Sequence, residues 1–236
     1  MAYGVKLMVW GDYASFNRPE MKVERVSCDA ITPSAARGII EAIYWKPEIR
    51  WVVDRLRVLN PIRFTYARRN EVKGKIPAKA VATAMKTGHG ALGVAVADVR
   101  QQRAAMILAD VRYGVEAHIE VTKHEGPETK PEAKHLDQFR RRAKKGAYFH
   151  HPYLGTREFP ASFKLVKDFP PCPEELRGER DLGRMLLDMD FTPDPNGTVV
   201  ESNEGRRLDV RPRFFAAVMR DGVIDVPPLA ATGRNP

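Results

Sequence analysis

Residues 32–66, TPSAARGIIEAIYWKPEIRWVVDRLRVLNPIRFTY, place a helix ahead of a pair of strands, and that order decides the fold. Thr32 is positioned to cap a helix that begins at Pro33, where the missing N–H of proline costs nothing and its φ is already helical. Ala36, Ile39, Ile40 and Ile43 recur at helical spacing as an apolar stripe. Lys46-Pro47 stops the helix, because the residue before a proline is pushed out of the helical region. Trp51–Leu59 and Ile62–Tyr66 then read as strands separated by Asn60-Pro61.

Upstream, Val5–Trp10 reads as an opening strand that Gly11-Asp12-Tyr13 breaks. Downstream, Arg68–Arg103 is a basic stretch with a short Ala-rich helix between Pro77 and Gly88. Ala104–Leu108 and Val111–Val121 follow as strands, the second alternating apolar and polar like a half-buried strand. Thr129-Lys130-Pro131-Glu132 has the form of a capping box and introduces a helix to about Lys145, ended by Gly146. From about Phe163 the composition shifts to Pro, Gly and charge. Leu182–Phe191, Thr198–Glu201 with Leu208–Val210, and Phe214–Met219 with Val223–Val226 read as a small antiparallel sheet. The pattern predicts an α+β chain: a ferredoxin-like domain over residues 1–165, the architecture also used by RNA-recognition modules, with a basic insertion at 68–103. A small antiparallel β domain over 166–226 and a tail over 227–236 complete it.

The charge balance of 39 Lys+Arg against 30 Asp+Glu gives a net charge of +9 and a pI near 9.6, the footprint of a protein that attracts polyanions. Cys28 and Cys172 lie far apart and outside any CxxC or Cys/His cluster, so neither a disulfide framework nor a zinc site is predicted. No apolar run approaches the ~20 residues that span a bilayer, and the N-terminus lacks the pattern of a signal peptide. A cytoplasmic protein with no membrane partner and no cofactor is expected.

Five of the six residues Arg140–Lys145 are basic: Arg140, Arg141, Arg142, Lys144 and Lys145. Some of that charge complements a helix C-terminus, but the density exceeds that need and points to phosphate contact. In the same helix Leu136, Phe139 and Ala143 form a narrow apolar seam, with Lys134, Gln138, Arg141 and Lys145 on a polar face. Among the histidines, His118 lies in the alternating strand and reads as a packing or hydrogen-bonding residue. His150 and His151 precede Pro152 in a turn, and His89 sits between glycines. Two Lys-His pairs remain, Lys123-His124 and Lys134-His135, and composition does not choose between them. Tyr44 falls in the row Arg37, Glu41, Tyr44 at the edge of the apolar stripe, where its ring can pack while its hydroxyl reaches outward. Asp188-Met189-Asp190 puts two carboxylates on one face of a strand, with Asp194 further on. A lone DxD is a weak magnesium signal, so no metal site is assigned.

The runs GDYASFNRPEMKVERVSCDAITPSAARGIIEAIYWKP (11–47), RVLNPIRF (57–64), AMILADVRYGVEAHIE (105–120), EAKHLDQFRRRAKKG (132–146), PYLGTREFPASF (152–163) and LDVRPRFFAAVMRDGVIDVP (208–227) together resemble one family. It is the CRISPR-associated Cas family-five protein of the type I-C (Dvulg) system, and IYWKP and YLGTREF are specific to it. The resemblance implies a ferredoxin-like N-terminal domain, a small C-terminal β domain, and metal-independent cleavage of precursor CRISPR RNA at the base of the repeat hairpin. The protein would then stay with its product among the other subunits of a type I-C interference complex.

The family's catalytic Tyr, Lys and His fall on Tyr44, Lys134 and His135, with Lys123-His124 offset from the motif as second choice. Metal-free cleavage uses the substrate's 2′-OH as nucleophile and needs a proton acceptor, a cation near the phosphorane and a donor for the leaving oxygen. His135 is assigned to proton transfer, Lys134 to the phosphorane and Tyr44 to a place beside the nucleophile. The rival expectations are a non-catalytic subunit that holds CRISPR RNA, and a protein that also contacts duplex DNA through residues 68–103.

Overall fold

Buried Val5, Leu7 and Val9 alternate with half-exposed neighbours along β1 (Gly4–Ala14), the period of a strand with one face on the core. The structure, a computed structural model, describes residues 4–21, 23–74, 76–90, 92–122, 131–194, 196–197, 199–200 and 207–228. β1 does not break at Gly11-Asp12-Tyr13; it runs on to Ala14, opposite Leu108. Gly11 instead allows a close approach, since a Cβ there would stand 2.7 Å from Leu154 Cδ1 and 2.9 Å from the Pro160 carbonyl oxygen.

After the short β2 (Arg25–Val26), helix α1 (Pro33–Ile43) starts as the sequence predicts. Thr32 is extended, and its Oγ1 accepts from the Ala35 N–H at 3.2 Å. The helix ends three residues before Lys46, with Tyr44 as its C-cap. β3 (Ile49–Val58) and β4 (Phe64–Val72) follow, and β4 continues well into the basic stretch. β5 (Arg100–Val121) joins the two expected strands into one of 22 residues, with Asp110 at φ +50 between them. β4 pairs antiparallel with β5 from Phe64↔Leu108 to Val72↔Arg100. The basic insertion is therefore a two-stranded arm whose connection carries α2 (Ala78–Thr87) and α3 (Val96–Val99).

Helix α4 (Pro131–Lys144) ends before Gly146, whose φ of +66 is the left-handed conformation glycine adopts without strain. Thr129 and Lys130 of the expected capping box lie outside the described residues. β6 (Ser162–Leu165) pairs with β1. β7 (Glu179–Pro193), β8 (Val199–Val200), β9 (Arg207–Arg220) and β10 (Val223–Asp225) complete the strands. β10 pairs with both β9 and β3, so the C-terminal strands extend the same sheet.

Among the described residues the sheet has ten strands in the order β6-β1-β5-β3-β10-β9-β7, with β2 and β4 also on β5 and β8 on β9. Pairing is antiparallel throughout except β2 with β5, giving a mixed α/β fold dominated by one large antiparallel sheet. α1 packs on β3 and β7, α4 on β5 and β6, and the helices touch each other, which sets both on one face. Their junction is where Tyr44 and His135 meet. No helix among the described residues is long and apolar enough to cross a membrane.

Candidate active site

Tyr44 is held from both sides. Its N–H closes the last turn of α1 on the Ile40 carbonyl at 3.0 Å, and its own carbonyl accepts the buried Trp51 indole N–H at 2.9 Å. Trp51 is in turn fixed by Phe139 of α4, ring centroids 4.8 Å apart. With the helix ended at Ile43, the Tyr44 backbone turns extended and sends the side chain inward. The hydroxyl does not reach outward as the helical row predicts: Tyr44 is 9% exposed, and its Oη lies 2.8 Å from His135 Nδ1.

His135 is 3% exposed, a histidine on the buried face of a basic helix beside Leu136 and Phe139. Its other nitrogen, Nε2, stands 3.3 Å from Glu48 Oε2. Burial raises the Tyr44 pKa above its ordinary value and the Glu48 carboxylate adds to this, while Lys134 and Arg142 act in the opposite sense. The phenol therefore keeps its proton near neutrality, and that proton is free to be donated to Nδ1. In the tautomer that accepts from the phenol, the imidazole proton sits on Nε2, facing Glu48. The result is a Tyr44–His135–Glu48 chain joining the end of α1, the first turns of α4 and the start of β3. Lys134 is exposed, and its charge is felt at the Tyr44 hydroxyl.

The sequence matches the family described as CRISPR-associated protein (Cas_Cas5) over residues 4–227. The chain belongs to the CRISPR-associated Cas5 family. It is 49% identical over 236 residues to a protein of Mannheimia succiniciproducens, covering 98% of each chain, and 44% identical over 229 residues to one of Thermus thermophilus, covering 94% and 91%. Both relatives are named CRISPR pre-crRNA endoribonuclease Cas5d. The fold is similar to a crystal structure of a CRISPR-associated protein at TM-score 0.60 and 21% identity, covering 99% of this chain and 96% of that one.

The basic run of this Cas5-family chain divides. Arg141, Lys144 and Lys145 are exposed, as is Arg140, which also reaches the Gly4 carbonyl at 3.2 Å. Arg142 is half-buried, and its Nε donates to the Ile43 carbonyl at 2.7 Å, so it straps α4 to the end of α1 beside Tyr44. His118 bonds Asp54 at 2.8 Å, as a hydrogen-bonding residue should. His150 and His151 lie in the segment before Pro152, where His150 lines the same groove as Tyr44, and Lys123 and His124 lie outside the described residues. Asp188 and Asp190 face arginines, Asp188 both Arg37 and Arg50, and Asp190 Arg213. Glu48 is the residue that sequence reasoning missed. Its signal was a carboxylate four positions after Tyr44, just past the proline that ends the helix region.

Proposed function

We propose that this chain is a precursor CRISPR RNA endoribonuclease that cuts at the base of the repeat hairpin, without a metal ion, by attack of the substrate's own 2′-OH. One observation carries the reading: a buried Tyr44–His135 pair, continued by the exposed Glu48 carboxylate, meets a groove that Tyr44 lines together with Lys46 and Arg142. The name that both curated relatives bear supports it.

In this reading the 2′-OH binds next to Tyr44 Oη. As the 2′-oxygen bonds to phosphorus, its proton passes to Tyr44, and the Tyr44 proton passes to His135 Nδ1. The P–O5′ bond breaks, and water protonates the leaving oxygen. Because the phenol is held protonated, it starts as a donor and not as a tyrosinate base. Glu48 fixes the imidazole tautomer and offsets the charge that His135 gains, and Lys134 supplies charge toward the phosphorane.

Arg140, Arg141, Lys144 and Lys145 hold the RNA backbone, while Arg142 divides its role between strap and phosphate. The proposal extends to a ferredoxin-like domain over 1–165, a β domain over 166–226 and a cytoplasmic location. It also extends to retention among the subunits of a type I-C interference complex, with the β4–β5 arm available to duplex DNA.

The test is cleavage of a repeat-hairpin RNA against the same RNA with one 2′-deoxy nucleotide just upstream of the cut. The deoxy substrate should bind normally and stay whole. Normal cutting of it, or tight binding of the all-ribose RNA without any cutting, would refute the proposal.

A further inference from the structure

Beside Tyr44, between the α1–β3 turn and the segment after α4, lies an open groove of about 560 Å³. Two large aromatic side chains in its lining are left to solvent: Trp45 is 52% exposed and Phe149 is 87% exposed. Folding normally covers such rings, and here the backbone that carries them is anchored. Phe149 N–H donates to the Ala42 carbonyl at 2.7 Å. Tyr44, the residue before Trp45, is fixed at both its N–H and its carbonyl. On the far side of Trp45 the turn is closed by Ile49 N–H on the Lys46 carbonyl at 3.1 Å, and Glu48 is held by Thr122 N–H at 2.9 Å. These rings are displayed on braced backbone at the mouth of the groove.

Lys46 and Arg142 also line it, and the carboxylate in the lining, Glu41, lies 3.5 Å from Arg37 of the preceding turn, an arginine it shares with Asp188. Exposed aromatic faces with cations beside them are how proteins hold unpaired nucleotides: the rings take the base, and the cations take the phosphate. An apolar protein partner would cover the rings but leave Lys46 and Arg142 with nothing to neutralise. Volume agrees, since small-molecule clefts of about 300–1,000 Å³ accommodate a nucleotide.

We propose that this groove is a base-stacking subsite. It takes one unpaired nucleobase of the RNA near the scissile phosphate, stacked on Trp45 and Phe149, with the adjoining phosphate on Lys46 and Arg142. The proposal rests on the reading of Tyr44 as the residue beside the cut. By holding a base outside the hairpin, the subsite draws the backbone across the Tyr44 hydroxyl. It would favour a flexible junction between paired and unpaired RNA over a continuous duplex.

The experiment places 2-aminopurine, an adenine analogue whose emission falls on stacking, at each unpaired position at the base of a repeat hairpin, one at a time. Binding is read by titration in the full-length protein, whether or not the RNA is cut, so failure of the cleavage reading remains a separate result. One position should be quenched several-fold by the unmodified protein, and quenching there should disappear with Trp45→Ala and Phe149→Ala but largely persist with Trp45→Phe. Each alanine variant should weaken binding about tenfold. An abasic nucleotide at that position should weaken binding by the unmodified protein to a similar degree and cost the Trp45→Ala variant little more. Unchanged melting temperatures would show that the variants fold. Absence of quenching at every position, or alanine variants that keep quenching and affinity, would overturn the proposal. Variants that bind RNA normally but fail to associate with companion subunits would also overturn it, and would assign the groove to a protein partner.

Discussion

The two halves of α4 differ in charge, the first carrying Lys134 and His135 beside Glu132 and Asp137 and the second Arg140, Arg141, Arg142 and Lys144, and the fold uses them for different ends. Its first turns set His135 into the core against Tyr44, with Lys134 exposed beside it. Its last turn and the residue just beyond it expose Arg141, Lys144 and Lys145 to solvent. A buried polar side chain must have its hydrogen bonds answered, so the first half is held in one geometry. An exposed ammonium or guanidinium keeps many rotamers and acts through its charge. The first half is suited to bond-making and the second to adhesion, and mutations should separate the two.

The largest effect belongs to the first half. Tyr44→Phe, Lys134→Ala and His135→Ala should each slow single-turnover cleavage on the order of a hundredfold or more while leaving the RNA dissociation constant nearly unchanged. Lys123→Ala and His124→Ala should cost far less. A normal rate for His135→Ala with a dead His124→Ala would reverse the assignment of the pair. Next comes Glu48→Gln, which keeps the size of the side chain and removes its charge. It should slow the chemical step about tenfold with little change in binding, a reduction typical of the groups that orient a catalytic imidazole.

The second half should give the opposite pattern. Neutralising two of Arg141, Lys144 and Lys145 should weaken binding and flatten its dependence on salt by about one log-log unit for each phosphate that is no longer neutralised. Saturating protein should restore most of the cleavage rate. Persistence of the rate defect at saturation would erase the distinction between the halves. Arg142 is the exception within the run: Arg142→Ala should also lower the melting temperature, because it removes the bond to the Ile43 carbonyl.

The sequence carried α1 from its cap and stripe, the Ala-rich α2 from Pro77 and Gly88, and α4 from its seam and Gly146, because these signals are local. It could not show that the two strands around Asp110 are one, or that Gly11 lies inside β1. Both depend on what packs against them from far along the chain, Leu154 and Pro160 in the case of Gly11. Of the site, the family resemblance supplied Tyr44, Lys134 and His135, and the fold brings Tyr44 to His135. The inward turn of the Tyr44 hydroxyl was hidden because helical spacing was carried one residue past the true helix end. Glu48 was hidden because its partner, His135, lies far along the chain on another element.

The smallest effect is on stability at alkaline pH. The Tyr44 pKa is raised in the folded protein by burial and by Glu48, so the folded state holds this proton more tightly than the unfolded chain does. That contribution is fully present below about pH 10, the ordinary tyrosine value, and is lost as the pH rises through the folded value. Denaturant unfolding between about pH 9 and 11 should therefore show a different pH slope for Tyr44→Phe, with a shallower decline of stability than in the unmodified protein. Tyr113, also raised by burial, is common to both and cancels in the comparison. Identical slopes would mean that the phenol is not held protonated by its surroundings.

The most direct measurement is the chemical identity of the ends produced when purified protein cuts a repeat-hairpin RNA in excess EDTA, read by mass spectrometry of both fragments. Attack by the 2′-OH through Tyr44 and His135 predicts a 2′,3′-cyclic phosphate on the upstream fragment and a 5′-hydroxyl on the downstream one, with the rate unaffected by the chelator. Loss of cutting in EDTA, or a 3′-hydroxyl paired with a 5′-phosphate, would contradict the account.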